Sequence, residues 1–547
     1  MFSPSSLQWL SLIGIIWLQS INGTNSDFPA YSSHVKNLLS ISQIQLNNLA
    51  FASDAGKLLG WFSGIAAMHL PLWLALVIGA ILGMVGYGVQ YLFLINKIAS
   101  LPYWVIFFLT VVAGNSICWI NTVCYIVTIK NFPSNRQIAV GLSTSYVGLS
   151  AQVYTIIVDV IFPSSPGKKA KAYLFLNSIV PLLISVIAAP LVREIHHKGS
   201  TNQMGGFGVM FFITGATGIY AIICSLGSVV ISTKIIAVGF GLLLAAPLMV
   251  VISMELTPTT KSDRVHDFTI DELSSVEERV VGKKVNEDQV EEEVAEIRVR
   301  EEVRPSVMLQ RLDFWLYFFL YMFGVTLGLV FLNNLGQIAE SRGMSNASAL
   351  VSLSSSFGFF GRLVPSLIDY FFSRSRCRYM VSRPAFIVML MTLSTGSFML
   401  LNTTNLYLTT ATIGVCTGAI TSIAISTTTE LFGSKNFSVN HNILVTNIPI
   451  GSFVFGYLAA FLYQRETPEG SDKCMGSQCY RTIFFIWGSF CFVGTLLSLI
   501  LYLRTRKFYL EQLIMKDQIL AEENTRSATD LSNHQDFCLI DLGKRGH

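Results

Sequence analysis

The sequence predicts an all-α membrane protein crossed many times by helices, and three observations predict it. Hydrophobic residues make up 52% of the 547 and charged residues 13%, about half the soluble norm of ~25%. The charges are also clumped. Residues 255–311 hold fifteen Asp/Glu and nine Lys/Arg, 24 of the 70 charges in the chain. The other 490 residues carry 46, too few to cover a soluble surface of that size. Finally, the apolar runs are long and continuous. They fit the ~20 residues that a helix needs to cross hydrocarbon, not the ~10-residue alternating segments of a membrane barrel. Gly (41), Pro (16) and Cys (9) are ordinary for the length, which excludes collagen-like, disordered and disulfide-scaffold classes.

Fourteen spans follow from the apolar runs: 7–24, 45–67, 72–95, 101–128, 138–162, 172–192, 207–231, 234–253, 312–334, 347–371, 383–402, 405–429, 440–463 and 481–503. Spans 7 and 8 are separated only by a short connection near Ser232, so twelve is the alternative count. Either number is even and puts both termini on one side. Basic residues in short loops choose the side. Lys130 and Arg136, Arg193 and Lys198, Arg374, Arg376, Arg378 and Arg383, and Arg504, Arg506 and Lys507 fall on the same face as the 255–311 segment and the tail. That face is expected to be cytosolic, against the contrary signal of Lys168, Lys169 and Lys171 on the other. The first span lacks a basic leader and a cleavage site and reads as a retained helix. The membrane is the plasma membrane or an endomembrane such as the vacuole.

The two ends of the chain resemble each other. Trp9 matches Trp315 at an offset of 306, and Gly56-Lys57-Leu58 matches Gly361-Arg362-Leu363 at 305. Duplicated halves with a substrate site at their interface are the usual build of secondary transporters. The expected organisation is a six-helix bundle over 1–200, two extra helices over 201–254, a cytosolic charged linker over 255–311, a second six-helix bundle over 312–503 and a cytosolic tail over 504–547. The linker carries a net charge of −6 and the acidic run Glu287–Glu296. It reads as a solvated spacer or as a point of regulation. Phe508–Asn524 is amphipathic and expected on the membrane surface or a bundle end.

Charges inside the bilayer are costly and need a partner or a task. Asp54 and Lys57 stand three apart in span 2, on one helical face. Two readings stand: Lys57 attracts an anionic substrate while Asp54 carries a coupling proton, or the two form a self-neutralising pair that fixes packing. Arg362 in span 10 has no acid within four residues. Its planar fork suits a carboxylate or phosphate, and an interhelical role is the alternative. Matched across the repeat, Lys57 and Arg362 are expected to face one cavity.

Asp369 and Glu430, at the ends of spans 10 and 12, are candidates for a gate of interdomain salt bridges, or ordinary helix-end charges. Asp159 near the end of span 5 reads as a charge that snorkels to water. Asn115, Ser116, Asn121 and Thr122 in span 4, and His441, Asn442 and Asn447 in span 13, are expected to line the interior, with Asn115 and Asn121 as candidate ligand contacts. Cys474 and Cys479 lie between spans 13 and 14 on the outer face, where a bridge would survive. Asn346 and Asn402 open glycosylation sequons on that face.

The chain carries no Walker A sequence, no His-Glu-x-x-His and no Gly-x-Ser-x-Gly. It is therefore read as neither an intrinsic ATP-driven pump nor an enzyme. No cofactor or metal is expected, and His196-His197 reads as a loop pair. The expected partners are a small-molecule substrate and the lipid bilayer, not nucleic acid.

Several motifs carry a family resemblance. Asn22-Gly-Thr-Asn25 through Phe28, Tyr31-Ser-Ser33, Leu46-Asn47, Ala52-Ser-Asp-Ala-Gly-Lys57 and Gly60-Trp61 resemble plant nodulin-like proteins. So do Gly86-Tyr-Gly-Val-Gln90, Ser116-Ile-Cys-Trp119, Asn121-Thr-Val-Cys124, Asn131-Phe-Pro133, Asn135-Arg136, Glu430-Leu-Phe-Gly433 with Lys435 and Phe437, and Pro449-Ile-Gly-Ser452. Together they resemble the nuclear-fusion-defective-type branch of the major facilitator superfamily. The resemblance implies a plant membrane protein with the major facilitator fold of two six-helix bundles, distantly akin to monocarboxylate and oxalate–formate carriers. One departure stands out. The stretch between spans 2 and 3, Gly64-Ile-Ala-Ala-Met-His-Leu-Pro71, lacks the acidic and basic gate residues usual in the superfamily. A salt-bridge gate would then rest on Asp369. The expected function is secondary-active transport of a small organic anion, such as a monocarboxylate, coupled to protons. A non-transporting receptor or scaffold working through the linker and tail is the alternative.

Overall fold

The fold is described from a computed structural model covering residues 3–28, 31, 35–36, 39–162, 166–195, 203–225, 232–256, 301–344, 347–374, 382–402, 405–468 and 474–542. Arg376, Arg378, Lys198, His196-His197, Asn346 and the acidic run 287–296 lie outside the described residues. Helices account for every regular element among them: α1 (Pro4–Ile21), α2 (Gln43–Ala55), α3 (Gly60–His69), α4 (Leu72–Leu94), α5 (Tyr103–Asn131), α6 (Arg136–Ser145), α7 (Ser150–Ile161), α8 (Pro166–Ala188), α9 (Gln203–Ser225), α10 (Thr233–Ala245), α11 (Leu248–Leu256), α12 (Pro305–Met308), α13 (Leu312–Tyr321), α14 (Leu327–Ser341), α15 (Ala347–Arg374), α16 (Arg383–Leu400), α17 (Leu406–Phe432), α18 (Phe437–Val445), α19 (Asn447–Glu466) and α20 (Gln478–Leu542).

Eleven helical segments among the described residues are long and apolar enough to cross a membrane. They occupy the positions of expected spans 3–7 and 9–14. The other three expected spans are helical but shorter or more polar. For α1 the reason is burial: Ser6, Gln8, Ser11, Gln19 and Ser20 are all buried among neighbouring helices, so this helix does not have to match lipid. The segment 43–69 carries Asp54 and Lys57, and the eighth position is split into α10 and α11 around Pro247. The chain beyond α1 also departs from expectation. It turns at Asn22–Asp27 yet stays inside, with Thr24, Asp27, Tyr31 and Val35 all buried. The tail does not form a separate surface helix but continues the last span as one 65-residue helix, α20.

Several spans break in mid-course. A 3₁₀ turn at Gly56–Leu59 separates α2 from α3, another at Tyr146–Leu149 separates α6 from α7, and a π turn at Met322–Thr326 separates α13 from α14. Such mid-helix irregularities recur at functional sites.

The matched glycines serve the same purpose in both halves. A Cβ on Gly56 would strike the backbone of α5 at Val111, and a Cβ on Gly361 would strike that of α17 at Val415. Gly114 of α5 meets Ser53, and Gly418 of α17 meets Gly358. Each half thus presses one helix pair together through bare backbone. The tryptophan match is weaker: Trp9 is fully buried and Trp315 is 42% exposed.

Two core clusters form, one within 9–370 and mostly in the N-terminal half, the other within 303–501. A smaller cluster of Ile126, Ile129, Val140, Ile425 and Phe437 joins the two halves. Both linker ends, Glu255 and Glu301, lie at the same end of the molecule as this cluster. It is called the linker end below; the opposite one, with Cys474 joined to Cys479 by a disulfide, is called the disulfide end.

Candidate substrate site between the halves

The stripe Asn115, Cys118, Thr122 and Tyr125 recurs at three- and four-residue spacing along α5, which puts it on one face. That face meets α2 and α3 and, beyond them, the C-terminal half. Lys57 Nζ contacts Asp54 Oδ1 at 2.6 Å, and both residues are buried. Asp54 Oδ2 accepts a hydrogen bond from Ser452 Oγ of α19 at 3.1 Å. The pair therefore sits on the interface. The 3₁₀ turn frees backbone carbonyls, and Asn115 Nδ2 donates to that of Gly56 at 2.9 Å. Trp119 Nε1 donates to Asn115 Oδ1 at 2.9 Å. Asn115 is thus engaged at both ends in holding the break. Asn121 turns elsewhere: its Oδ1 accepts from Asn22 Nδ2 at 2.9 Å, within the N-terminal half.

Arg362 differs from its counterpart. It is half-buried, its carbonyl abuts Gly141 of α6, and it forms no ion pair among the described residues. The groups within its electrostatic reach are the phenols of Tyr125 and Tyr321. The Tyr125 ring packs edge-on to His441 of α18, with centroids 5.6 Å apart, and His441 Nδ1 lies 3.3 Å from Thr428 Oγ1. Arg362, Tyr125, Tyr321 and His441 thus converge from four helices and both halves. The structure does not bring Lys57 and Arg362 into contact; the α5 stripe runs between them. Tyr125 and Tyr321 escape sequence reasoning because an aromatic residue in an apolar span has no distinguishing signal.

The linker end is sealed around this site. Ser438 Oγ donates to the Gly64 carbonyl at 3.1 Å and Asn442 Nδ2 to Thr122 Oγ1 at 2.8 Å. On the other flank Ser366 Oγ donates to the Gln137 carbonyl at 2.7 Å. Gly64 and Gly141 are needed there, because a Cβ on either would run into the opposite half. Uncharged close packing replaces the gate charges missing between Gly64 and Pro71.

The expected salt-bridge gate takes another form. Asp369 and Glu430 both bind Arg383, at 3.1 and 2.6 Å, and Tyr509 of α20 donates to Glu430 Oε2 at 2.8 Å. All four belong to the C-terminal half, so the cluster ties α15, α16, α17 and α20 together and does not bridge the halves. Asp159 pairs with Lys169 at 2.6 Å.

One buried acid lies just beyond the expected end of span 1. Asp27 is 1% exposed. Its Oδ1 accepts from Asn177 Nδ2 at 3.2 Å, while Asp27 Oδ2 and Asn177 Oδ1 are both buried without a partner. The phenols of Tyr31, Tyr87, Tyr154 and Tyr173 surround it.

Known proteins agree with this architecture. Residues 8–252 match the Nodulin-like family and residues 296–511 match "NFD4, C-terminal domain". The chain is 39% identical over 532 residues to Protein NUCLEAR FUSION DEFECTIVE 4 of Arabidopsis thaliana, spanning 92% of this chain and 89% of that one. The chain belongs to the nodulin-like, NUCLEAR FUSION DEFECTIVE 4 family. A more distant relative, the "Probable transporter MCH1" of Gibberella zeae, is 24% identical over 212 residues, 31% of this chain and 37% of its own. Among solved structures, the major facilitator superfamily proton:xylose symporter XylE superposes with a TM-score of 0.52 at 11% identity, covering 90% of this chain and 95% of XylE. The NUCLEAR FUSION DEFECTIVE 4 family member described here therefore has the major facilitator fold. The two family matches leave out residues 253–295, most of the charged linker.

Proposed function

We propose that this protein is a secondary-active transporter that moves a small organic anion, such as a monocarboxylate, by alternating access of its two halves. The observation that carries the reading is Arg362: a guanidinium at the interface with no carboxylate partner among the described residues, framed by Tyr125, Tyr321 and His441. An uncompensated charge at that depth is costly, and a substrate carboxylate would neutralise it with two parallel hydrogen bonds. The phenols would add donors, and the aromatic rings would set the size of the apolar part. Lys57, already bound to Asp54, would contribute through space or not at all. The Arg383 cluster would keep the C-terminal half rigid as it moves. The linker end is taken as cytosolic, which makes the sealed state closed to the cytosol.

Coupling to protons is assigned to Asp27 in preference to Asp54, whose charge Lys57 already balances. A proton on Asp27 Oδ2 would turn it into a donor and supply the open acceptor, Asn177 Oδ1, completing a paired acid–amide contact. Both unpartnered oxygens would then be satisfied, as buried polar groups require.

The test is flux into proteoliposomes, screened over small carboxylates with and without an inward proton gradient. Saturable uptake that Arg362→Gln abolishes supports the carrier; Asp27→Asn should retain exchange and lose gradient-driven accumulation. A chain that shows no flux for any solute, while its linker captures a cytosolic protein, would replace this reading with that of a receptor.

A further inference from the structure

The end of the charged linker is built into the linker-end seal. Glu302 lays its carboxylate over the turn before α18: Oε1 accepts from Ser434 N at 2.9 Å and from Ser434 Oγ at 3.2 Å, and Oε2 accepts from Lys435 N at 3.0 Å. Successive backbone N–H groups ahead of a helix form such an anion seat, and the charge also suits the positive end of α18. Val303 is 2% exposed. Its N–H donates to the Phe432 carbonyl at 3.0 Å, and its own carbonyl accepts from Asn440 Nδ2 at 3.1 Å and Asn436 Nδ2 at 3.4 Å. Met308 is fully buried in the C-terminal core. Gly433, at φ +87°, makes room for the strap, because a Cβ there would collide with Glu302 Oε2.

The helix gripped by this strap is the one that closes the halves. Asn436 and Asn440 hold the strap, while Ser438 and Asn442, two residues on in each case, bind Gly64 and Thr122 of the N-terminal half. Phe437 lies in the cluster that joins the halves. The first turn of α18 is therefore held on one side by the linker and on the other by the seal. Beside Glu302, Glu301 pairs with Arg311 at 2.6 Å, so the strap is also tied back to the start of α13.

We propose that residues 301–308 are a removable brace: docked, they keep the linker end closed, and undocking lets α18 part from α3. The strap then governs opening. The inference takes from the transport reading that the halves separate, but its test does not require flux. Hydrogen exchange of the full-length protein in nanodiscs is compared for wild type, Glu302→Gln and Val303→Asp. In the variants, amides of 432–436 should exchange faster as the strap leaves. So should those of Gly60–His69 and Arg136–Ser145, on the N-terminal side of the seal, by threefold or more. Faster exchange at 432–436 with no change in those two segments overturns the brace. Unchanged protection at 432–436 in both variants overturns it as well, since these contacts would then not hold the strap. If flux is absent yet the segments respond, the brace stands and the transport reading falls.

Discussion

The two halves share a frame and differ in what they mount on it. In each, the glycine that opens a matched motif lets one helix press on the backbone of another: Gly56 on Val111, Gly361 on Val415. The next residue is basic in both. In the N-terminal half it is Lys57, tied to an acid three residues earlier at 2.6 Å. In the C-terminal half it is Arg362, whose described surroundings offer phenols and no carboxylate. Equal backbone positions thus hold one charge that is paired and one with no carboxylate partner among the described residues. A duplicated fold can keep its packing symmetric while its chemistry becomes one-sided.

The sharpest way to break this comparison is at the glycines. Gly56→Ala and Gly361→Ala each force a methyl into backbone that cannot give way, so both should abolish folded protein, read as loss of the monodisperse peak in detergent. If only one does so, the halves are not packed alike. Next comes the ion pair. Lys57→Met or Asp54→Asn alone should cost about 3–5 kcal/mol by leaving a buried charge unpaired, while the double variant should recover most of that; thermal unfolding in detergent measures it. Arg362→Gln removes a costly charge, so the protein should unfold no earlier while uptake falls by about a hundredfold, about 2.7 kcal/mol. Arg362→Lys should fall between, because the charge remains and the fork is lost. The smallest effect is expected at the disulfide end. Replacing Cys474 and Cys479 by Ser opens a short loop and should cost about 2 kcal/mol, without altering uptake.

Much of the frame was legible because membrane spans announce themselves by unbroken apolar length. Asp54 with Lys57 was legible because the spacing of three is local to one helix. The cysteine pair was legible for a like reason, five residues apart in one loop. What stayed hidden depends on helices meeting. Asp369 and Glu430 find Arg383 across 14 and 47 residues, so their common partner could not be read from either neighbourhood. The breaks at Gly56, Tyr146 and Met322 left no mark on the apolar runs. Asp27 was missed for a simpler reason. A polar turn after an apolar run reads as the end of a span, and here the turn remains inside.

Helix α9 joins the two halves. It is fastened to the N-terminal half where Phe207 packs on Trp9 at 4.9 Å and Tyr146 Oη lies 3.2 Å from Thr214 Oγ1. It is fastened to the C-terminal half where Phe211 packs on Tyr370 at 5.2 Å. A helix attached to both halves limits how far they can part. Where α9 meets α15 it presents Gly208 to the Tyr370 hydroxyl and Gly218 to the Phe359 and Phe360 rings. Bare backbone under flat rings is a bearing surface, one that allows sliding while it keeps contact. In the transport reading α9 would then do what a damper does for a hinge, permitting the swing and limiting its reach.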